Sequence, residues 1–161
     1  MDNDRKAGNG EGRMRLRSLL RVSAAVEAGA GVAALLAPRL LVALLFGPAS
    51  ATPLELVLAR FVGIALLSLG MACWWAANDP ESRAAQGVVK AMLLYDVAAA
   101  LLLFYAGTSG LSGIVLWPAF ILHSAMAVWC MLGPPRSKEE ALAAETEQAA
   151  LKEESYRLSS R

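Results

Sequence analysis

The sequence predicts an all-α membrane protein: a bundle of four transmembrane helices with a short interfacial helix after the first. Three observations predict it. The chain has 161 residues, 57% of them hydrophobic, and a mean hydropathy of +0.47, which is too apolar for a soluble domain of this size. The charged residues, 18% of the total, gather at the two ends. Between those ends lie four apolar stretches, and a helix of ~20 such residues crosses a hydrocarbon core of ~30 Å.

Residues 1–17 are polar, Gly-rich and increasingly basic, and read as an unstructured cytoplasmic tail. Arg13, Arg15, Arg17 and Arg21 stand directly before the first apolar stretch. A basic segment before an apolar one also describes a signal peptide. Here the apolar stretch is long, carries Glu27 and is followed by three more, so it reads as a retained helix over roughly 18–37. Ala25, Gly29, Ala33 and Ala37 recur at every fourth position, a line of small residues along which a neighbouring backbone can approach. Pro38 interrupts. RLLVALLF (39–46) is too short to cross and is either a kinked continuation or a short interfacial helix, the second being favoured.

The second span, TPLELVLARFVGIALLSLGMACWWAA (52–77), has a well-marked start. Thr52 can cap, Pro53 suits the first helical position, and Glu55 falls where a capping box needs it. Asn78-Asp79-Pro80 closes this helix, with Asp79 expected to cap the third and Pro80 to open it. That third helix covers roughly 84–106, and GTSG (107–110) reads as a tight turn. The fourth covers roughly 111–132 and is expected to start before Pro118 and bend there, because proline removes a backbone hydrogen bond. The four helices define one domain over 18–132. Residues 133–161 are Ala/Glu-rich and read as a second, partly helical cytoplasmic tail.

Basic residues set the expected orientation. With both ends inside, the cytoplasmic side holds six Lys/Arg up to Arg21, Arg83 and Lys90, and five beyond Gly133, whereas the outside holds Arg39. This bias places the chain in the cell inner (plasma) membrane with both termini cytoplasmic. Trp74, Trp75 and Trp129 then fall at the inner interface and Tyr105 near the outer one. Cys73 and Cys130 lie far apart in sequence near the same face, where the cytosol keeps thiols reduced, and read as small buried hydrophobes.

A charge near the bilayer centre costs at least ~2.5–3.5 kcal/mol on insertion scales, so each one needs a partner or a purpose. Glu27, Arg60, Asp96 and His123 are the candidates for ligand binding or proton relay. At ~1.5 Å per residue, Glu27 and His123 lie ~13 Å from the inner ends of their helices and Asp96 ~18 Å from the start of its own. Three ionisable groups on three helices can therefore meet near the midplane. His123 shares its stripe with Ala119 and Ala127, and Asp96 with Ala99 and Ala100, small neighbours that let helices close around a polar group. The set serves either as a structural clasp that fixes helix register or as a protonatable site. Arg60 lies toward the outer end of its helix, with Gly63, Leu67 and Gly70 on its face. It either snorkels to water, forms an inter-helix salt bridge, or contacts a ligand.

The runs PRLLVALLFG (38–47) and LARFVGIALLSLGMACWWA (58–76) resemble the DoxX-like group of small bacterial four-helix membrane proteins. Arg60, Gly63 and Gly70 carry the pattern that opens the second helix there. The resemblance spans mostly 20–132 and implies the four-helix bundle, not a reaction. Some members are associated with redox partners, a role that would want a cysteine pair this chain lacks.

Function is read as follows. The first expectation is a non-enzymatic integral membrane protein binding a small apolar ligand, a lipid or a protein partner. The alternative is a small proton-coupled transporter or channel working as a homo-oligomer. An enzyme acting on a lipid or quinone ranks third, since no nucleophile–base pair or metal cluster stands at recognisable spacing. No cofactor or metal is expected, and nucleic acid is excluded for want of a basic stripe or stacking aromatics.

Overall fold

The computed structural model describes residues 2–47, 51–132, 146, 148, 151 and 152, with side chains from Gly12 onward. The expected helical character of the tail beyond Gly133 thus lies almost wholly outside the described residues. Five helices follow one another: α1 (Asp2–Leu36), α2 (Pro38–Phe46), α3 (Pro53–Ala76), α4 (Arg83–Thr108) and α5 (Leu116–Met131). Among the described residues there is no strand. Three helices are long and apolar enough to cross a membrane: α1 over Gly12–Leu36, α3 and α4. Their outward faces carry large apolar side chains, with Phe61 71%, Trp75 66% and Leu94 72% exposed. Water would penalise such faces, whereas hydrocarbon does not. The chain is all-helical among its described residues, and three of its helices are compatible with a membrane protein.

The helix of α1 begins well before the expected boundary, at Asp2 rather than near residue 18. Packing accounts for its part from Leu16 onward. Leu16, Leu19 and Leu20 are buried in a core cluster with Cys73, Ala77, Ala85 and Met92. Arg17 also ties this end down, its Nε donating to the Ala77 carbonyl at 3.1 Å, one of the acceptors left free where α3 ends. Arg13 and Glu81 form a loose exposed pair at 3.9 Å across the same junction.

The seam between α1 and α3 is made of glycine. A Cβ on Gly31 would stand 2.8 Å from the Gly63 carbonyl oxygen, and one on Gly63 equally close to the Gly31 oxygen. A Cβ on Gly70 would meet the Ala24 carbonyl oxygen at 3.1 Å. The expected line of Ala25, Gly29, Ala33 and Ala37 is therefore not the contact: Ala25 and Gly29 are exposed and nothing lies within 4 Å of Gly29. Small residues occupy nearly every face of α1, and burial of Glu27 selects the face bearing Ala24, Ala28 and Gly31.

α1 and α2 are separate helices, parted at Ala37 (φ −132°, ψ 53°) with Pro38 at the first helical position, as favoured. The capping box of α3 forms as expected: Glu55 N–H donates to Thr52 Oγ1 at 3.3 Å and Thr52 N–H to Glu55 Oε2 at 2.6 Å. The start of α4 corrects an expectation. Asp79 to Ser82 fold into a turn, and Ser82 rather than Asp79 caps the helix. Its hydroxyl donates to the Asp79 carbonyl (2.8 Å) and accepts from Ala85 N–H (3.1 Å).

A second correction concerns α5, which spans 16 residues from Leu116 and takes Pro118 into its first turn instead of bending there. The preceding segment is committed elsewhere. Gly113 N–H donates to the Leu45 carbonyl (3.1 Å) and Val115 N–H to the Leu44 carbonyl (2.9 Å), completing the carbonyls at the end of α2. Nothing larger than glycine fits at 113, where a Cβ would run into the Leu44 carbonyl. The last turn of α4 reaches Thr108, so GTSG is half helix and half turn.

Two apolar clusters result. One joins the middle of α1 and the last turn of α3 to the first half of α4 and the end of α5 (Leu19, Leu20, Cys73, Met92, Met126, Cys130). The other joins the end of α4 to α2 and the start of α5 (Leu103, Ala106, Leu116, with Leu45 and Phe120 against them). Along α4 and α5, which contribute to both, Asp96 and His123 fall between the two.

Candidate functional site

Asp96 and His123 sit at the middle of their helices and Glu27 in the second half of its own, each presented by small or flexible neighbours. Glu27 follows Ala24 and precedes Gly31 on the inward face of α1. Asp96 is at the centre of α4, four residues after the buried Met92. His123 is at the centre of α5, between Ala119 and the buried Met126 and Ala127. The side chains converge. His123 Nδ1 lies 2.8 Å from Asp96 Oδ1, a hydrogen bond across two helices. One donor atom from each of Glu27, Asp96 and His123 lies within 4.8 Å of the others. Glu27 and Asp96 are only 2% and 1% exposed, while the His123 side chain keeps 15%.

Two residues join the site that sequence reasoning did not single out. Tyr95 stands edge-on to His123, with ring centroids 5.5 Å apart at 83°, and lies beside Glu27. Ser23, one turn before Glu27 on the same face, is buried, and its Oγ has no partner among the described residues. Asp96 Oδ2 is likewise buried and without a partner among them. Adjacency to Asp96 and the four-residue spacing to Glu27 were the available signals, but neither residue carries the charge that marks a costly position.

Arg60 is apart from this set. It is exposed on α3, one turn beyond the Gly63 contact, and belongs to the outer surface rather than to the bundle interior. Lys90 is exposed too. Cys73 and Cys130 are buried free thiols, in keeping with their reading as small hydrophobes.

No protein-family model, curated protein or solved structure matches this chain. Two carboxyls share an apolar interior with one imidazole, and two ionised carboxylates cannot remain there without positive charge beside them. A protonated His123 balances one. The other needs a proton or a cation. Apolar clusters flank Asp96 and His123 on both sides along α4 and α5, the two carboxyls are buried, and the site does not line the open groove of about 410 Å³ on α3, bordered by Ile64, Leu67, Ser68, Met71, Ala72 and Trp75. The occupant is therefore small.

Proposed function

We propose that this chain is a small non-enzymatic integral membrane protein that carries a cation, the proton or a metal ion, through a charged centre in its core. The observation that supports it is the convergence of Glu27, Asp96 and His123 from within three helices, with acid in excess of base. Such a centre is expensive in hydrocarbon, and small cations are what it attracts. The closed apolar surroundings disfavour a lipid or apolar ligand at the centre. A second reading, contact with lipid chains or a partner, finds support in the α3 groove on the outer face.

The proposal includes four crossings with both termini in the cytoplasm of a plasma membrane. α5 alone is ~24 Å long, short of a full crossing. Residues 111–115 lengthen it, and the backbone bonds of Gly113 and Val115 to α2 meet the requirement that non-helical backbone at membrane depth be paired within the protein. The lipid bilayer is the solvent, and a homo-oligomer is the working form because four helices enclose little volume.

Liposomes holding the purified chain provide the test, loaded with a pH-sensitive dye in one batch and a divalent-sensitive dye in another. Flux of either kind above that of protein-free liposomes, lost in Glu27→Gln and kept in Arg60→Gln, supports the proposal. Neither flux above background, or equal flux in Glu27→Gln, contradicts it.

A further inference from the structure

We infer that Glu27, Asp96 and His123 form a binding site for one divalent first-row transition-metal ion, of the manganese, iron, cobalt or zinc class. This rests on the reading of the same centre as a cation site and names the cation. Three independent features point to it. The donor set is one imidazole nitrogen and two carboxylates from three separate helices, with all three donor atoms within 4.8 Å. Metal–ligand bonds of about 2.0–2.2 Å place donors roughly 3.0–3.5 Å apart, so small side-chain rotations close the site around an ion. The His123–Asp96 pair, at 2.8 Å, is already nearly at that separation.

The second feature is the unmet polar atoms. Asp96 Oδ2 is buried with no partner among the described residues, in a carboxyl that already faces the other two donors. A buried carboxylate oxygen left empty is costly, and a cation satisfies it directly. Ser23 Oγ, buried and unpartnered one turn from Glu27, is suited to hold a water on the ion. The third feature is charge: two carboxylates, a neutral imidazole and a divalent ion sum to zero, the only total an apolar interior accepts cheaply.

The ligand types select the class. Calcium takes six to eight oxygens and magnesium keeps several waters, and neither prefers imidazole. Mixed nitrogen and carboxylate donors suit manganese, iron, cobalt and zinc. Binding requires that the proton between His123 Nδ1 and Asp96 Oδ1 leave, so metal uptake releases protons to the solvent.

The test uses the full chain in detergent, stripped with a chelator and dialysed against Co²⁺, Zn²⁺, Mn²⁺ or Mg²⁺. The expected result is one equivalent of bound Co²⁺ with visible d–d absorption, displaced by Zn²⁺ and not by Mg²⁺. Asp96→Asn and His123→Ala are each expected to weaken it by at least about 10–100-fold, whereas Arg60→Gln leaves it unchanged. The chain has a single histidine, so a ¹⁵N-His label gives one ring to follow in the unmodified protein should a variant not fold. Mn²⁺ at one equivalent broadens that ring's signals. No ion retained, the same affinity in folded Asp96→Asn, or an unperturbed ring with Mn²⁺ overturns the inference. Failure here with proton flux intact leaves the cation-carrying reading standing; a bound ion with no flux of either kind removes transport and keeps the site.

Discussion

Glu27, Asp96 and His123 were legible as single letters because a charged residue in an apolar stretch has few cheap explanations. Helix rise then brought the three to a similar depth, and the geometry agrees: the imidazole and the Asp96 carboxyl are 2.8 Å apart. Arg60 had the same signature but a different outcome. Its long stem can carry the guanidinium outward, so its cost is relieved without a partner in the core, and it is exposed. Tyr95 and Ser23 could not be singled out, since an uncharged hydroxyl in a helix is ordinary until its surroundings are known. His123→Ala is expected to remove one inter-helix hydrogen bond, costing about 0.6–2 kcal/mol in thermal unfolding in detergent. Asp96→Asn in the same background should then add little, because the partner is already gone.

Among the elements, local signals were reliable and long-range ones were not. The capping box at Thr52 and Glu55 is a contract between residues three apart, and it forms. The start of α5 depends on backbone bonds from Gly113 and Val115 to α2, some 70 positions earlier, which no window around Pro118 contains. The α1–α3 seam lay between these cases, with small residues available on several faces and only one used. Gly31→Ala would press a methyl group against the Gly63 backbone and is expected to cost about 1–3 kcal/mol. Gly29→Ala, two positions away with open space around it, should be neutral or slightly stabilising through helix propensity. Paired melting curves of the two variants check the seam, and equal effects would mean the helices do not meet there.

For the whole molecule, composition decided the solvent: three helices have the length and apolarity to cross a membrane. The number of crossings hangs on α5, the shortest of the four candidates. Labelling of intact cells with an impermeant thiol reagent distinguishes the arrangements, using Ala7→Cys or Ser155→Cys with Cys73 and Cys130 replaced by alanine. Four crossings predict that neither tail reacts until the membrane is opened. Reaction of Ser155→Cys alone would leave α5 on one side and reduce the count to three. Orientation came from the basic residues alone, since no bilayer-facing geometry distinguishes inside from outside.

The central claim, that acid and base from three helices meet within the bilayer, can be read from the chain's one histidine. Solid-state NMR of protein in lipid bilayers, with ¹⁵N-labelled histidine and ¹³C-labelled aspartate and glutamate, is expected to show that ring in close contact with one Asp carboxyl carbon and near one Glu carboxyl carbon. Asp96→Asn removes the first contact and Glu27→Gln the second. An imidazole whose neighbours are lipid chains or bulk water, with no carboxyl within reach, would contradict the account.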